Sequence, residues 1–165
     1  MSNLSSALAA LFSELTEGAN NPGGAFILNS GDAGLLRSLD GLDNDDASRN
    51  LQGGATIAAH AQHVRYGLSL MNSWARDGGN PFADAKWDEA WKTNVVTDTE
   101  WKEIRGGLRD EARRWKDALA APRETTDVEL RGLIGSVAHL AYHLGAIRQI
   151  APNARGPREG TFTTT

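Results

Sequence analysis

The segment from Leu133 to Ile147 constrains the fold of this chain more than any other stretch, because it contains no charged residue. Successive residues of a helix are rotated by about 100°. On that spacing, His139 and His143 project roughly opposite a group of apolar residues, namely Leu130, Leu133, Ile134, Val137, Ala141 and Leu144. A helix that is apolar nearly all round must be covered nearly all round. We therefore expect one face to meet the protein interior and the other to meet a second subunit, in a homodimer. Small residues beside the histidines, among them Gly132, Ser136 and Ala146, leave space there, as a ligand cavity would need.

The two histidines of this segment stand on one face of the predicted helix. Positions i and i+4 lie one above the other, so His139 and His143 could share one divalent metal ion. Two buried imidazoles without a hydrogen-bond or metal partner would cost free energy. The other two of the four histidines, His60 and His63, fall together on another predicted helix. This concentration in two short segments is the main functional indication in the sequence.

Apolar periodicity predicts three more long helices. The first carries a leucine stripe at Leu4, Leu8, Leu11 and Leu15. The second spans roughly Ala55 to Arg76, with the core positions Ile57, Ala61, Val64, Leu68, Met71 and Ala75. The third opens at Thr97–Glu100, a capping-box pattern, and places Trp101, Ile104, Leu108, Ala112, Trp115 and Leu119 in the core. A second capping box at Thr126–Glu129 opens the histidine-bearing helix, which should end near Pro152.

The pattern predicts an all-α fold, an up-down four-helix bundle with a short extra helix after helix 1 and a long connection between helices 2 and 3. The short helix carries Leu35, Leu36 and Leu39 on one side, and the acidic run 43–46 is expected to be a solvated turn. Residues 1–152 form a single domain in this prediction. Residues 153–165 form a polar tail, which would be disordered unless the bundle or a neighbouring chain holds it.

The connection from residue 77 to residue 98 contains two tryptophans whose role has two interpretations. Trp87 and Trp91 share a face if this part is helical. Long connections often cover a site. Buried aromatic residues, however, most often contribute to packing, and on that ground the favoured interpretation is that both rings cap the bundle core.

Composition narrows the classes of function. The net charge of -4 argues against a nucleic-acid partner, since phosphate-binding proteins usually carry a basic stripe. The absence of cysteine excludes disulfides, thiolate ligands and cysteine nucleophiles. The N-terminal residues lack the basic charge of a signal peptide, and no apolar run comfortably spans a bilayer. We expect a cytoplasmic protein without a membrane segment.

A third imidazole from the second helix would complete a metal site with His139 and His143. Three imidazoles leave one position open for water or substrate, as in catalytic zinc sites. The helical wheel places His60 closer to the core stripe than His63, so it favours His60 as that ligand. The zincin motif requires a glutamate directly after the first histidine, and Leu140 occupies that position. A zincin-type metalloprotease is therefore unsupported.

The order of motifs resembles the DinB/YfiT-like superfamily. Thr56-Ile57 is followed after five residues by His63, and the last helix carries His139-Leu-Ala-Tyr-His143-Leu-Gly-Ala-Ile. The resemblance covers roughly Leu4 to Ile150. It implies an up-down four-helix bundle, often dimeric, that holds a divalent ion, commonly zinc or nickel. The ligands it implies are His63, His139 and His143, with His60 as the alternative ligand or as a partner of the ligands.

The resemblance also implies chemistry on a small-molecule substrate. A metal-bound water or a thiolate would act as the nucleophile, and the branches of the family suggest a transferase or isomerase that uses a low-molecular-weight thiol, or a hydrolase. No carboxylate can be assigned as general base from its spacing to the histidines. Three hypotheses follow: a metal-dependent enzyme, a metal-binding bundle without catalysis for storage or stress response, and an interaction module with structural histidines.

Overall fold

Helices account for all the regular structure in the described part of the chain. The computed structural model describes residues 2–20 and 25–157, and it contains no strand in these ranges. In chain order the helices are α1 (Ser2–Glu17), α2 (Gly34–Asp40), α3 (Asn44–Ala47), α4 (Ile57–Asp77), α5 (Trp87–Ala90), α6 (Asp98–Ala120) and α7 (Asp127–Ile150). A 3₁₀ turn follows at Pro152–Ala154. The predicted all-α class is confirmed.

Each of the four long helices packs against two of the others. Helix α6 contacts α1 and α4, and α7 contacts the same two helices. The core between them includes Phe12, Ile57, Trp101 and Ile147, which have no measurable exposure. Among the described helices, none is both long enough and apolar enough to cross a membrane.

Helix α6 shows how closely local sequence determines local structure. The Thr97 hydroxyl accepts a hydrogen bond from the Glu100 N–H, and the Glu100 carboxylate accepts one from the Thr97 N–H. Both halves of the predicted capping box are therefore formed, and the same holds for Thr126 and Glu129 at the start of α7. Every predicted core position of α6 is buried: Trp101, Ile104, Leu108, Ala112, Trp115 and Leu119.

Helix α4 carries the second pair of histidines into the core. Thr56 caps its N-terminus by accepting from the Ala59 N–H, and Gly78 ends it with a φ of 72°. Most of the predicted stripe is buried, namely Ile57, Ala61, Val64, Leu68 and Met71. His60 and His63 are buried as well, so the solvent-accessible face of this helix lies on its other side.

Three expectations about local structure were wrong. Ile134, placed in the core by periodicity, is 48% exposed, and Leu4 at the start of α1 is 47% exposed. The acidic run forms one turn of helix, α3, with Asp43 as its N-cap. An exposed stripe on α7 runs through Ile134, Ala138, Tyr142 and Gly145. A helix that is apolar on every side gives periodicity too little contrast to choose the buried face.

A second buried polar region joins the α1–α2 loop to the C-terminal end of the described chain. Glu14 is buried, and its carboxylate accepts from the backbone N–H groups of Phe26, Ile27 and Leu28. Asp32 forms a buried ion pair with Arg148 of α7 at 2.7 Å. We refer to Glu14, Asp32 and Arg148 as the loop network.

The first residues of the predicted tail are held by the rest of the chain. Ala154 is buried. Arg155 donates to the carbonyl oxygen of Arg148, and Asn29 donates to that of Pro157. Residues 158–165 of the predicted tail lie outside the described residues. The tail as far as Pro157 is thus anchored on α7 and on the α1–α2 loop.

Candidate metal site

Helices α4 and α7 bring all four histidines into one cluster. His60 and His63 face α7, and His139 and His143 face α4, so that every ring has another imidazole as a neighbour. His143 is only 1% exposed, His60 and His63 are buried, and His139 is partly exposed. The histidine side of α7 is therefore covered by α4 of the same chain. The expectation that a second subunit covers this side was wrong.

Three of the rings converge on one point. The Nε2 atom of His139 lies 3.2 Å from Nε2 of His63 and 3.0 Å from Nε2 of His143. One nitrogen from each of these three rings lies within 4.8 Å of the others, so the group could hold a metal ion. At the usual Zn–N distance, two nitrogens of a tetrahedral shell are separated by about 3.3 Å. The two Nε2–Nε2 distances are thus close to those between nitrogens that coordinate the same zinc ion.

His60 stands behind this group instead of completing it. Its Nδ1 atom lies 2.8 Å from Nδ1 of His143, on the side of the His143 ring away from His139. One hydrogen bond between these nitrogens would fix the tautomer and the orientation of the His143 ring. The sequence left open whether His60 or His63 is the ligand from α4. This arrangement fits His63 as that ligand and His60 as the hydrogen-bond partner of His143.

The two tryptophans of the α4–α6 connection cover the cluster. The Trp91 ring stacks on the His63 ring at 4.2 Å between centroids and meets His60 edge-on at 5.4 Å. Trp87 packs against His63 at 5.2 Å. The sequence favoured a role in capping the bundle core, whereas the structure places both rings against imidazoles. Helix α5 and the residue that follows it thus cover His60 and His63 on one side.

Burial lowers the pKa of all four imidazoles and so favours their neutral form. Burial and the neighbouring His139 lower the pKa of His63 to about 4. Burial, with His139 and His60 nearby, lowers the pKa of His143 to about 3. Burial also lowers the pKa of His60 and of His139. A neutral imidazole is the form that coordinates a metal.

A pocket of about 400 Å³ opens beside two of the three rings. His63 and His139 border it, and the rest of the lining is apolar or small: Gly67, Leu68, Met71, Phe82, Trp87, Gly132, Gly135 and Ser136. The Ser136 hydroxyl is already engaged, since it accepts from the Trp115 indole N–H and donates to the Leu133 carbonyl oxygen. The imidazoles are thus the polar groups that a ligand in this pocket would meet.

The sequence predicted space for a ligand beside the histidines from Gly132 and Ser136, and both residues line this pocket. Two further glycines of the lining were overlooked. Gly67 lies four residues after His63, and Gly135 lies four residues before His139. Residues four apart share a helix face, so each glycine removes a side chain next to a histidine ring. An added Cβ at Gly67 would lie 3.8 Å from Cε1 of His139, and one at Gly135 would meet nothing within 4 Å. Both helices therefore leave space beside the histidines.

Comparisons with known proteins found no relative of the chain. No protein-family model, curated protein or solved structure matches it. The resemblance to the DinB/YfiT-like superfamily accordingly stays a prediction.

Proposed function

We propose that this chain is a DinB-like protein, an up-down four-helix bundle that binds one divalent metal ion through His63, His139 and His143. We further propose that it is a metal-dependent enzyme that acts on a small molecule. The observation that carries the proposal is the convergence of three Nε2 atoms next to a pocket large enough for a ligand. Pockets of this size are typical of small-molecule sites.

The donor set fits zinc or nickel. Imidazole nitrogens suit both ions, whereas magnesium and calcium prefer oxygen ligands. The Nδ1 atom of His63 is buried and has no hydrogen-bond partner among the described residues. Such an atom costs free energy in the metal-free protein. Binding of an ion at Nε2 would offset part of the cost of burying this ring.

The chain's own residues would position the ion and its ligand. His60 orients the His143 ring, and Trp91 fixes the plane of His63 by stacking. Trp87 and Trp91 exclude water from one side, while the pocket leads a small molecule to His63 and His139. A bound divalent ion would supply Lewis acidity and a binding position for a donor atom of the substrate. Transfer involving a low-molecular-weight thiol, or hydrolysis, is the chemistry expected from the resemblance.

One observation favours a second candidate, a metal-binding protein without catalysis. In the described part of the chain no aspartate or glutamate lines the pocket beside the histidines, so none of these residues is available there as a general base. A storage or stress-related role would need no such base. A cavity-bound substrate separates the two, because only the enzyme turns it over.

We also propose that the protein is a homodimer that associates through the exposed stripe of α7. Ile134 is 48% and Tyr142 is 68% exposed, although both side chains are largely apolar. Light scattering coupled to size exclusion should give twice the chain mass, and Tyr142→Arg should give the monomer. A monomer in the unmodified protein at micromolar concentration would contradict this part of the proposal. The absence of cysteine fits a cytoplasmic location.

Metal analysis of protein purified without a histidine tag tests the main proposal. We expect one zinc or nickel ion per chain in the wild type and a loss of at least tenfold in affinity for zinc in His63→Gln, His139→Gln and His143→Gln. His60→Gln is the matched control, since it changes a ring in the same cluster that lies outside the converging group. It should retain the ion with weaker affinity. Retention in His63→Gln with loss in His60→Gln would reverse the ligand assignment, and a metal-free wild type that takes up no added ion would refute the site.

A further inference from the structure

The walls of the pocket beside His63 and His139 carry no charge. Among the described residues, no lysine, arginine, aspartate or glutamate borders it. A neighbouring cavity of about 310 Å³ shares Met71, Phe82 and Gly132 with it, and Glu129 is the one charged residue that the described part of the chain contributes to that lining. No described cationic side chain of either lining is available to an anionic ligand. A charged group buried against such walls would lose its hydration without gaining a partner.

The shape of the walls is set by aromatic rings and glycines. The Phe82 and Trp87 rings are nearly parallel, at 10° with centroids 6.2 Å apart. Gly67 of α4 and Gly132 and Gly135 of α7 present bare backbone to the same space. Each helical glycine costs about 1 kcal/mol relative to alanine, so the open space is maintained at a cost in stability. Flat aromatic walls and bare helix surfaces both favour a flat apolar body.

We propose that this pocket binds a small molecule with an uncharged, flat, apolar body and a single polar group, which lies against His63 and His139. The identification of this ligand as the substrate rests on the metal-dependent function proposed above. The preference of the pocket for an uncharged ligand is independent of that function, because it follows from the residues that line the pocket. A thiol that carries several carboxylates would find no cationic partner in these linings, so the apolar molecule is the ligand that fits here.

Two fluorescent probes that share one ring system test the charge requirement. N-phenyl-1-naphthylamine is uncharged, and 8-anilino-1-naphthalenesulfonate is the same molecule with a sulfonate. Both are titrated into protein freed of metal with a chelator, so that no ion attracts the sulfonate. The wild type should bind the uncharged probe at one site and at least tenfold more tightly than the sulfonate. Equal or tighter binding of the sulfonate would overturn the proposal.

Two substitutions place the probe in the pocket. Gly135→Leu fills the space beside His139 and should weaken binding of the uncharged probe at least tenfold. Gly106→Leu is the matched control, because Gly106 is an exposed helical glycine whose Cβ would also meet nothing within 4 Å, and it lies on α6 away from the pocket. It should leave binding unchanged. Equal affinity in wild type and in a folded Gly135→Leu protein would refute the location.

A second variant keeps the test decisive if Gly135→Leu fails to fold. Phe82 is 40% exposed, so Phe82→Ala should preserve the fold and still weaken the uncharged probe several-fold. Unchanged binding in Phe82→Ala would contradict the aromatic wall. Failure of the two proposals can be told apart. If the protein takes up no metal but binds the uncharged probe more tightly than the sulfonate, only the proposed function is refuted. If it takes up metal but binds both probes equally, only the proposed ligand chemistry of the pocket is refuted.

Discussion

The protein contains two buried polar regions, and they are satisfied in different ways. In the loop network, the Glu14 carboxylate accepts from three backbone N–H groups and Asp32 pairs with Arg148, so that charges and donors meet partners from the same chain. In the histidine cluster, the polar neighbours of the rings are other imidazoles, and no described carboxylate hydrogen-bonds to them. The first region joins distant segments through charged groups, whereas the second has the neutral nitrogen donors that the proposed metal site requires.

The largest expected effect comes from breaking the loop network. Asp32→Ala leaves the buried Arg148 guanidinium without its carboxylate, and the free energy of unfolding should fall by about 3–5 kcal/mol. Asp40→Ala is the control, because Asp40 pairs with Arg105 and Arg109 at the surface and should cost less than about 1 kcal/mol. Chemical denaturation of both variants measures the difference. Equal losses would mean that burial does not distinguish the two ion pairs.

Metal should stabilise the histidine cluster and leave the loop network unaffected. At a free zinc concentration about a hundred times the dissociation constant, the free energy of unfolding should rise by about 2.7 kcal/mol. At the same zinc concentration the rise in His139→Gln should be at most about 1.4 kcal/mol, the value for a tenfold loss of affinity, since one of the three converging nitrogens is lost. Thermal melting with and without zinc measures both. A rise of the same size in His139→Gln would place the ion elsewhere.

A smaller loss is expected when the charge of Glu14 is removed. Hydrogen bonds to a charged group contribute about 1.5–3 kcal/mol. In Glu14→Gln one carboxylate oxygen is replaced by an amide NH2 group, which cannot accept from the backbone, so we expect a loss of about 2 kcal/mol. Glu17→Gln on the same helix is the control, because its ion pair with Lys116 is half-exposed. That variant should lose under about 1 kcal/mol.

The smallest effect concerns pH in the metal-free protein. His63 has a pKa of about 4 when folded, below its ordinary value of 6.5. Below pH 6.5 the unfolded chain therefore binds a proton that the folded protein does not, and stability falls as the pH drops towards 4. His63→Phe removes this group and keeps a ring for Trp91 to stack on. Its melting temperature should decline less steeply than that of the wild type between pH 7 and pH 5.

At neutral pH the same variant gives a result of opposite sign with and without metal. The buried Nδ1 atom of His63 has no hydrogen-bond partner among the described residues, and an apolar ring of similar shape removes that cost. The Nε2 atom of His139 keeps its contact with His143 when His63 is replaced, so metal-free His63→Phe should melt at or above the wild type. With saturating zinc the wild type should be the more stable of the two. A variant that is less stable in both conditions would show that His63 is a structural residue already satisfied in the metal-free protein.

The sequence predicts those parts of the molecule in which a local pattern is compatible with only one local structure. The stripe and the capping box of α6 follow directly from spacing and side-chain chemistry. The buried face of α7 does not, because Ile134 and Val137 are equally apolar and only tertiary packing leaves the first exposed. The loop network was missed for a related reason, since a lone Glu14 or Arg148 gives no sign of a partner that lies far away in the chain.

The histidines of the candidate site were predictable from the sequence, whereas the contacts that surround them were not. Spacing alone places His139 and His143 on one face, and the family resemblance adds His63. The stacking of Trp91 on His63 and the contact between the Nδ1 atoms of His60 and His143 depend on how the α4–α6 connection and α4 pack in the folded protein, which no local pattern encodes. Here the glycines at positions 67 and 135 were the overlooked clue, because each lies one helical turn from a histidine.

The distance along the chain between the converging rings has a consequence for biosynthesis. His63 and His139 are separated by 76 positions, and α7 carries two of the three nitrogens. During translation α4 emerges before α7, and it holds only His60 and His63. The three nitrogens can therefore come together only after α7 has left the ribosome and docked on α4, so that the proposed ion could bind at this site only after that step.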